Sequence, residues 1–317
     1  MSFLQELTND FRIMLDVRRA LGYVTRNDES ELPHFIDFCG NNYPNAKSIT
    51  KEMIDGWLIH HPYKNAGTQA LFFSLLRNYT KFIRSLGKDA FIPDEEYTVR
   101  CERYRPYIFD ENELTNLFQA MDTIPPHHKA PKREIIIPVL FRMMYCCGMR
   151  PSEPLRLHMD DVDLKSGEIY IRQSKKNKDR HIIMSEDMRH LCIKYNCLAG
   201  EREWFFQRWD GMPLHTKWMT RQFHICWKRS GLTKRGNPRP YDLRHVYATM
   251  NMMQWIDEGK DVMALLPYLG TYMGHKHFTS TLYYIHLLPE RLRKSAGIDW
   301  EQFNPIFGEG GESDEED

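Results

Sequence analysis

Apolar residues at helical spacing occur along most of the 317-residue chain, and strand-like alternation replaces them in one region. The sequence GEIYIRQ (167–173) alternates apolar and polar side chains, the polar stretch SKKNKD (174–179) follows, and RHIIM (180–184) is strand-like again. This pattern predicts a β-hairpin with a lysine-rich tip. We therefore expect a mainly α protein with a small antiparallel β-hairpin or sheet.

The first hundred positions predict a small helical domain. Apolar residues fall at helical spacing in residues 4–15 and again in residues 71–83, and Gly87 supplies a stop for the second of these helices. Prolines and a cluster of charges then interrupt the pattern, as is typical of a linker. We expect a helical domain over residues 1–92 and a linker over residues 93–105.

A second domain is predicted over residues 106–307. Asp110 followed by Glu113 is typical of a capping box at the start of a helix. The apolar run before Gly148 predicts a buried helix that ends at this glycine, because glycine readily adopts the left-handed conformation of a helix end. From Thr216 onward the apolar spacing is helical again.

The formal net charge of zero hides three unlike regions. Residues 1–100 carry 12 basic and 13 acidic side chains, whereas residues 101–307 carry 31 and 24. Residues 308–317 hold six acids and no base, which predicts a disordered tail. Residues 172–244 alone hold 17 basic and 7 acidic side chains. This excess predicts a phosphate-facing surface, although a solvated basic face without a partner has the same composition.

The sequence lacks the motifs of several common classes of enzyme. It has no P-loop, no HExxH motif, no GxSxG motif and no glycine-rich dinucleotide turn. No run of about 18 apolar residues predicts a membrane span, and the seven scattered cysteines without a CxxC pair indicate reduced thiols in a cytoplasmic protein. The acidic run at 158–163 is more typical of a solvated turn than of a magnesium site, and His190, Cys192 and Cys197 match no common zinc spacing. We expect neither a metal nor a cofactor.

Five side chains suited to phosphate chemistry occur in a distinctive order. Each has an ordinary structural explanation when taken alone, such as a helix-cap arginine or a solvated turn lysine. They are Arg150 in GMRPSE, Lys175 at the hairpin tip, Arg244 in DLRHVYAT, His275 in MGHKH, and Tyr284 in STLYYIH nine residues after that histidine. In this order they resemble the tyrosine recombinase (phage integrase) family over most of residues 106–290. The region before them resembles the family's helical core-binding domain, which implies a two-domain DNA clamp.

The resemblance implies a role for each basic residue of this set. Arg150 and Arg244 match the catalytic arginines, which donate to the non-bridging oxygens of a phosphate. Lys175 matches a general acid for the leaving 5′-oxygen, or Lys176 does if the hairpin is aligned one residue later. Glu153 matches an acidic supporting position that holds Arg150.

The remaining catalytic positions include one departure from the family. Tyr284 matches the nucleophile, with Tyr283 as the neighbouring alternative, and His275 matches a histidine that donates to the phosphate or accepts a proton. Tyr241 stands where the family usually has a histidine, and a phenol is a poorer proton acceptor at neutral pH. We therefore expect Tyr241 to hydrogen-bond a phosphate oxygen and His275 to carry more of the proton transfer. The stretch 245–274 is also longer than is usual in the family.

The resemblance further implies a site-specific recombinase that cleaves and rejoins double-stranded DNA through a covalent 3′-phosphotyrosine. In the family, four copies exchange strands through a Holliday junction without ATP or a metal, in integration, transposition and related events. Other basic side chains are candidate DNA contacts, while Trp218 and Trp227 are expected to pack in the core. The candidates are Lys178, Arg180, Lys217, Arg221, Lys228, Arg229, Lys234, Arg235 and Arg239, with Arg77, Lys81 and Arg84 in the first domain.

Two other functions are compatible with the same residues. A type IB-like topoisomerase shares the chemistry but needs neither a partner copy nor a specific site, and the separate helical first domain argues against it. A non-catalytic DNA-binding protein on the same scaffold has only the Tyr241 departure in its favour. The amphipathic segment after Tyr284 is compatible with docking on a neighbouring copy and equally with packing on its own domain.

Overall fold

The computed structural model describes residues 2–97, 104–174, 178–233, 236–275 and 277–287. The chain divides into two compact units, Met1–Tyr104 and Arg105–Asp317. Several sequence predictions fall outside the described residues. They concern Lys175, Lys176, Lys234, Arg235, the segment after Leu287 and the acidic tail.

The described residues of the first unit form four α-helices, α1 (Phe3–Ala20), α2 (Arg26–Asn42), α3 (Lys51–His60) and α4 (Ala66–Ser85). This agrees with the expected helical domain, and α1 and α4 contain the two segments whose apolar spacing is helical. Phe35, Trp57 and Phe72 meet in its core, with the Phe35 ring 5.9 Å from Trp57 and 5.8 Å from Phe72, both edge to face. Such aromatic contacts add to the burial of apolar area that stabilises the helices. α4 ends just before Gly87, whose φ of 79° confirms the predicted stop.

The start of the predicted linker packs on this first unit. Tyr97 is 7% exposed, and its hydroxyl donates to Asp55 Oδ1 at 2.6 Å. Arg77 Nε donates to the carbonyl of Pro93 at 2.9 Å. These contacts hold residues 93–97 against α3 and α4, so the segment that follows the helical pattern begins as part of the first unit. The predicted functions of the two domains remain predictions.

The second unit opens with the helices that the sequence predicts. α5 (Glu111–Asp122) is capped at its N-terminus by Asp110, which accepts from the Glu113 N–H at 2.8 Å, while Glu113 accepts from the Asp110 N–H at 3.1 Å. α6 (Arg133–Cys147) has nine buried residues and no exposed one, and it ends at Gly148, whose φ is 59°. The capping box and the glycine stop are therefore confirmed.

Three antiparallel strands form the sheet, in the order β1 (Val162–Asp163), β2 (Glu168–Ser174) and β3 (Lys178–Ile183). The hairpin prediction is confirmed, and the short strand β1 is additional. Ile169 lies opposite Ile182, and Ile171 lies opposite Arg180. Because cross-strand partners share a face, the Arg180 side chain points to the same buried side of the sheet as these isoleucines.

Helices complete the second unit: α7 (Glu186–Ala199), α8 (Thr216–Arg229), α9 (Asp242–Asp257), α10 (Val262–Met273) and α11 (Phe278–Leu287). The long stretch after Arg244 folds as α9, a turn and α10. Trp227 is 2% exposed and Trp218 packs against the same core, as expected. Across the described residues, no helix is long and apolar enough to cross a membrane.

Candidate active site

The C-terminal end of α10 is where the candidate site is assembled. The last carbonyls of a helix lack partners within the helix and carry the negative end of its dipole. Here three consecutive carbonyls each accept from a different arginine, and the arginines come from three separate parts of the second unit. Arg180 Nε donates to Tyr272 O at 2.9 Å, Arg244 Nη2 to Met273 O at 2.7 Å, and Arg150 Nη2 to Gly274 O at 2.7 Å.

Arg244 occupies the centre of this group. Its side chain is fully buried, and Nη1 donates to the carbonyl of Gly148 at 2.6 Å, which ties the start of α9 to the end of α6. Burial lowers the pKa of Arg244, but Tyr241, Tyr284 and Glu153 outweigh it and the pKa is raised. Arg244 Nε has no hydrogen-bond acceptor among the residues that the structure describes. A buried donor of this kind suits an anionic ligand.

Glu153 links the other two arginines. Its Oε1 accepts from Arg150 Nη1 at 3.1 Å and from Arg180 Nη1 at 2.7 Å. Its Oε2 accepts from the Arg150 N–H at 2.7 Å and from Arg180 Nη2 at 2.8 Å. Burial alone would raise the pKa of Glu153, but the hydrogen bond from Arg180 and the charges of the three arginines lower it to about 2. Glu153 is therefore ionised at neutral pH and in contact with Arg150, while its supporting role in catalysis remains a prediction.

The position of Arg180 differs from its predicted one. The sequence groups it with the DNA contacts because it follows a lysine-rich tip, but its side chain is only 9% exposed and pairs with Glu153. Three arginines and one glutamate thus share the cluster. Their charges leave an excess of two positive charges, which is complementary to a phosphate group.

His275 directly follows Gly274, the last of the three residues whose carbonyls accept from the arginines. Gly274 adopts a φ of 70°, and the His275 N–H then donates to the carbonyl of Gly270 at 2.8 Å. The Nδ1 of His275 is hydrogen-bonded to Thr281 Oγ1 at 2.8 Å. Burial, followed by the charges of Arg244, Arg150 and Arg180, lowers the pKa of His275 to about 2. The imidazole is therefore neutral at physiological pH and can donate one hydrogen bond and accept another.

The structure distinguishes the two neighbouring tyrosines of α11. The Tyr284 ring is stacked on His275, with centroids 5.7 Å apart and an interplanar angle of 21°. Tyr284 is 2% exposed and contributes to the raised pKa of Arg244. Tyr283 is half-buried and lies 6.5 Å from the His245 ring. Of the two, Tyr284 is the one placed against both the histidine and the central arginine.

His245 is a member of the site that the sequence does not single out. It is 1% exposed, and its ring lies 5.0 Å from Tyr241 and 5.5 Å from Tyr284. Burial and the charges of Arg244 and Arg239 lower the pKa of His245 to about 3. A signal was present in the sequence, because His245 follows Arg244 on the first turn of α9. Thr281, the partner of His275, has no comparable signal.

The candidate DNA contacts fall into different environments. Lys217, Arg221 and Lys228 are exposed on α8, and Lys81 and Arg84 are exposed on α4. Arg229 donates to Thr123 O at 3.0 Å, Arg77 binds the Pro93 carbonyl, Arg239 is half-buried, and Lys178 begins β3.

The acidic run at residues 158–163 makes an ion pair and a hydrogen bond within the second unit. Asp161 is 3% exposed, and it pairs with Arg172 and accepts from the His158 N–H at 2.9 Å. It is therefore a buried structural carboxylate rather than part of a solvated turn. Within the described ranges, no group of three or more His, Cys, Asp and Glu side chains is arranged to hold a metal ion.

The chain is similar to known proteins in sequence and in fold. The family model described as the phage integrase family matches residues 108–291. The tyrosine recombinase XerA of Thermococcus kodakarensis is 30% identical over 295 residues, which cover 93% of this chain and 95% of XerA. A lambda integrase (75–356) dimer bound to a COC′ core site has a TM-score of 0.63 at 17% identity, covering 88% of this chain and 97% of that one. A lambda integrase tetramer bound to a Holliday junction has a TM-score of 0.61 at 18% identity, covering 88% and 79%.

Proposed function

The chain belongs to the phage integrase family and is a tyrosine recombinase, a DNA strand-transferring enzyme, and we propose that Tyr284 is its nucleophile. The Tyr284 oxygen attacks the scissile phosphorus, the bond from phosphorus to the 5′-oxygen breaks, and a 3′-phosphotyrosine forms. Attack by the released 5′-hydroxyl reverses the step and rejoins a strand. The observation that carries this proposal is the convergence of Tyr284, His275 and Arg244 from three helices or their ends.

The charge of the arginine cluster supports phosphoryl transfer. A phosphodiester carries one negative charge, and a phosphorane-like transition state concentrates more negative charge on its non-bridging oxygens. The excess of two positive charges around Arg150 and Arg244 favours the transition state over the bound substrate. Backbone carbonyls and Glu153 already orient both guanidinium groups, so little reorganisation is needed during the reaction.

Proton transfer is divided among other groups in this proposal. Neutral His275, held by Thr281, donates to a non-bridging oxygen or accepts the proton of the Tyr284 phenol. Tyr241, which lies against His245, hydrogen-bonds the phosphate in place of the usual histidine. Lys175 remains the candidate general acid for the 5′-oxygen on its order in the sequence alone.

The assembly is also part of the proposal. We propose that four copies act on double-stranded DNA with specific recombination sites and exchange strands through a Holliday junction. The solved lambda integrase tetramer on such a junction has the same fold, which supports this arrangement. Because its substrate is DNA, the proposed place of action is the cytoplasm.

Trapping of the covalent intermediate tests the function. DNA ends attached to the protein in cells are first sequenced to recover the cognate site. A substrate nicked near the cleavage point then loses the short leaving strand and traps the adduct. We expect the adduct on Tyr284 by peptide mass spectrometry, its loss in Tyr284→Phe, and its retention in Tyr283→Phe. An adduct that persists in Tyr284→Phe would show that another residue is the nucleophile.

The same preparation tests the two alternatives. Relaxation of supercoiled plasmids that lack the cognate site, by the monomeric chain, would favour a topoisomerase. Tight binding to the cognate site without cleavage of either strand would favour a non-catalytic DNA-binding protein. Recombination between two cognate sites, with Holliday junctions accumulating when one strand exchange is blocked, is the outcome we expect.

A further inference from the structure

We propose that Arg180 is a positioning residue that fixes the Arg150 guanidinium and the Gly274–His275 turn, and so controls phosphoryl transfer without touching the DNA. The assignment rests on the proposed function and extends it to a residue of the β-hairpin. Arg180 donates to both carboxylate oxygens of Glu153, which also holds Arg150, and to the Tyr272 carbonyl at the end of α10. It therefore contacts the supports of Arg150 and of His275 at once.

Arg180 and Arg150 share the carboxylate of Glu153. Each Glu153 oxygen accepts one bond from the Arg180 guanidinium and one bond from Arg150. Without Arg180, Glu153 and Arg150 would form a neutral pair, and the carboxylate would be at liberty to turn toward the donors that face a phosphate. Arg180 therefore fixes the orientation of Glu153 and adds one of the positive charges at the site.

Arg180 also supports the turn that carries His275. Its Nε donates to the Tyr272 carbonyl at 2.9 Å. A Cβ atom added to Gly274 would lie 3.2 Å from both Cδ and Nη1 of Arg180, so the guanidinium lies close to this turn and leaves little room for a side chain there. The Gly274 carbonyl in turn accepts from Arg150. Arg180 thus binds Glu153 and lies close to Gly274, the two groups that hold Arg150.

The strand that carries Arg180 links the site to the hairpin. Arg180 lies opposite Ile171 on β2, two residues after the start of β3 at Lys178. A shift of one residue in this register would turn Arg180 to the other face of the sheet and remove all of its contacts with the site. The hairpin register and the geometry of Arg150 are therefore coupled through one side chain.

Only arginine has the donor geometry that this position uses. The planar fork gives two parallel bonds to Glu153 while Nε, in the same plane, reaches a third acceptor. Arg180→Lys keeps the charge and loses this three-way fixation, whereas Arg180→Gln loses the charge as well. Arg172→Gln is a matched control, because Arg172 also pairs with a buried carboxylate next to the sheet, and that carboxylate, Asp161, lies outside the arginine cluster.

The test compares two suicide substrates that carry the cognate site. One has the normal scissile phosphate, and the other has a methylphosphonate there, in which a methyl group replaces a charged non-bridging oxygen. A reaction that no longer builds up this charge depends less on a well-placed Arg150. Adduct formation is measured at saturating DNA, together with DNA affinity and the thermal unfolding temperature of each variant.

For Arg180→Gln we expect a loss of about 100-fold in adduct rate on the phosphate substrate, with DNA affinity within about threefold of wild type. On the methylphosphonate substrate the loss for Arg180→Gln should be less than about tenfold. On each substrate the adduct rate of Arg180→Lys should lie between those of the wild type and Arg180→Gln, and the rate of Arg172→Gln should be near that of the wild type.

Equal losses of adduct rate on both substrates, together with a lower thermal unfolding temperature even in Arg180→Lys, would mean that Arg180 has a purely structural role. Weaker DNA binding with a normal rate at saturation would mean a direct DNA contact. No adduct from the wild-type chain on the phosphate substrate would overturn the proposed function itself, and this assignment with it.

Discussion

The imidazole of His275 lies nearly parallel to the phenol ring of Tyr284, with centroids 5.7 Å apart and planes inclined by 21°. Thr281, three residues before Tyr284 on the same helix, is hydrogen-bonded to Nδ1 of that histidine at 2.8 Å. α11 therefore supplies both the proposed nucleophile and the hydroxyl that orients its neighbour. The orientation of the imidazole and the position of the phenol depend on the placement of one helix.

Removal of the Thr281 hydroxyl should slow the chemical step without changing DNA binding. Thr281→Val keeps the shape but loses the bond to His275, and we expect the adduct rate to fall by roughly 3- to 30-fold. Thr281→Ser should restore most of it. Thr249→Val is the matched control, because the buried Thr249 hydroxyl bonds backbone carbonyls of α9. Equal effects of the two valine variants on the rate would contradict the orienting role.

The buried His245 should make stability fall in mild acid. Its pKa is lowered to about 3 in the folded chain, against 6.5 for an unperturbed histidine, so the unfolded chain binds the extra proton below pH 6.5. The contribution of neutral His245 to the free energy of unfolding is thus complete above pH 6.5. It decreases by up to about 1.4 kcal/mol per pH unit as the pH falls from 6.5 to 3.

Urea unfolding at several pH values measures this dependence. The free energy of unfolding of His245→Gln should decline less steeply between pH 6 and pH 4 than that of the wild type, by up to about 1.4 kcal/mol per pH unit. His190→Gln, which removes an exposed histidine of α7, should keep the wild-type slope. The same slope in all three proteins would mean that His245 is not kept neutral by folding.

Gly148 has two reasons to be a glycine, its backbone conformation and the closeness of Tyr247, and comparison with a second glycine separates them. Its φ is 59°, and an added Cβ would lie 2.5 Å from the Tyr247 ring. Gly148→Ala should therefore lower the free energy of unfolding by roughly 2–4 kcal/mol, since the left-handed conformation costs about 1–2 kcal/mol and the clash adds to it. Because the Gly148 carbonyl holds Arg244, the adduct rate should fall as well.

Gly259→Ala is the control for backbone strain alone. Gly259 has a φ of 68° at the end of α9, and nothing lies within 4 Å of an added Cβ. We expect a loss of about 1 kcal/mol in unfolding free energy and an unchanged adduct rate. A Gly148→Ala variant as stable and active as Gly259→Ala would mean that Tyr247 moves aside at little cost.

Local sequence patterns predict much of this fold because they depend on neighbouring residues. The capping box at Asp110, the stop at Gly148 and the hairpin of β2 and β3 each follow from a few adjacent side chains. Arg180 shows the limit of such patterns. Arg180 lies two residues before Ile182 in β3, and this spacing places both side chains on the buried face of the strand. The neighbouring lysines nevertheless favour a surface role.

The arrangement of the site depends on contacts far apart in the chain. The carbonyls of Tyr272, Met273 and Gly274 bind arginines that lie 29 to 124 residues away in sequence. The order of motifs therefore predicts the roles of Arg150, Arg244, His275 and Tyr284, but it cannot indicate that the end of α10 orients three guanidinium groups. His245 and Thr281 belong to the site through packing, which leaves no local pattern.

Three exposed basic residues on one side of α8 should determine much of the salt dependence of DNA binding. Lys217, Arg221 and Lys228 are separated by four and seven positions, so they project from one side of the helix. Removing one ion pair with a DNA phosphate reduces the slope of log affinity against log salt concentration by about 0.9. The triple glutamine variant should therefore reduce the slope by up to about 2.7, with a similar decrease in affinity on cognate and unrelated DNA. Lys194→Gln, an exposed charge of α7, should leave the slope as it is in the wild type. An unchanged slope in the triple variant would move the phosphate-binding surface away from α8.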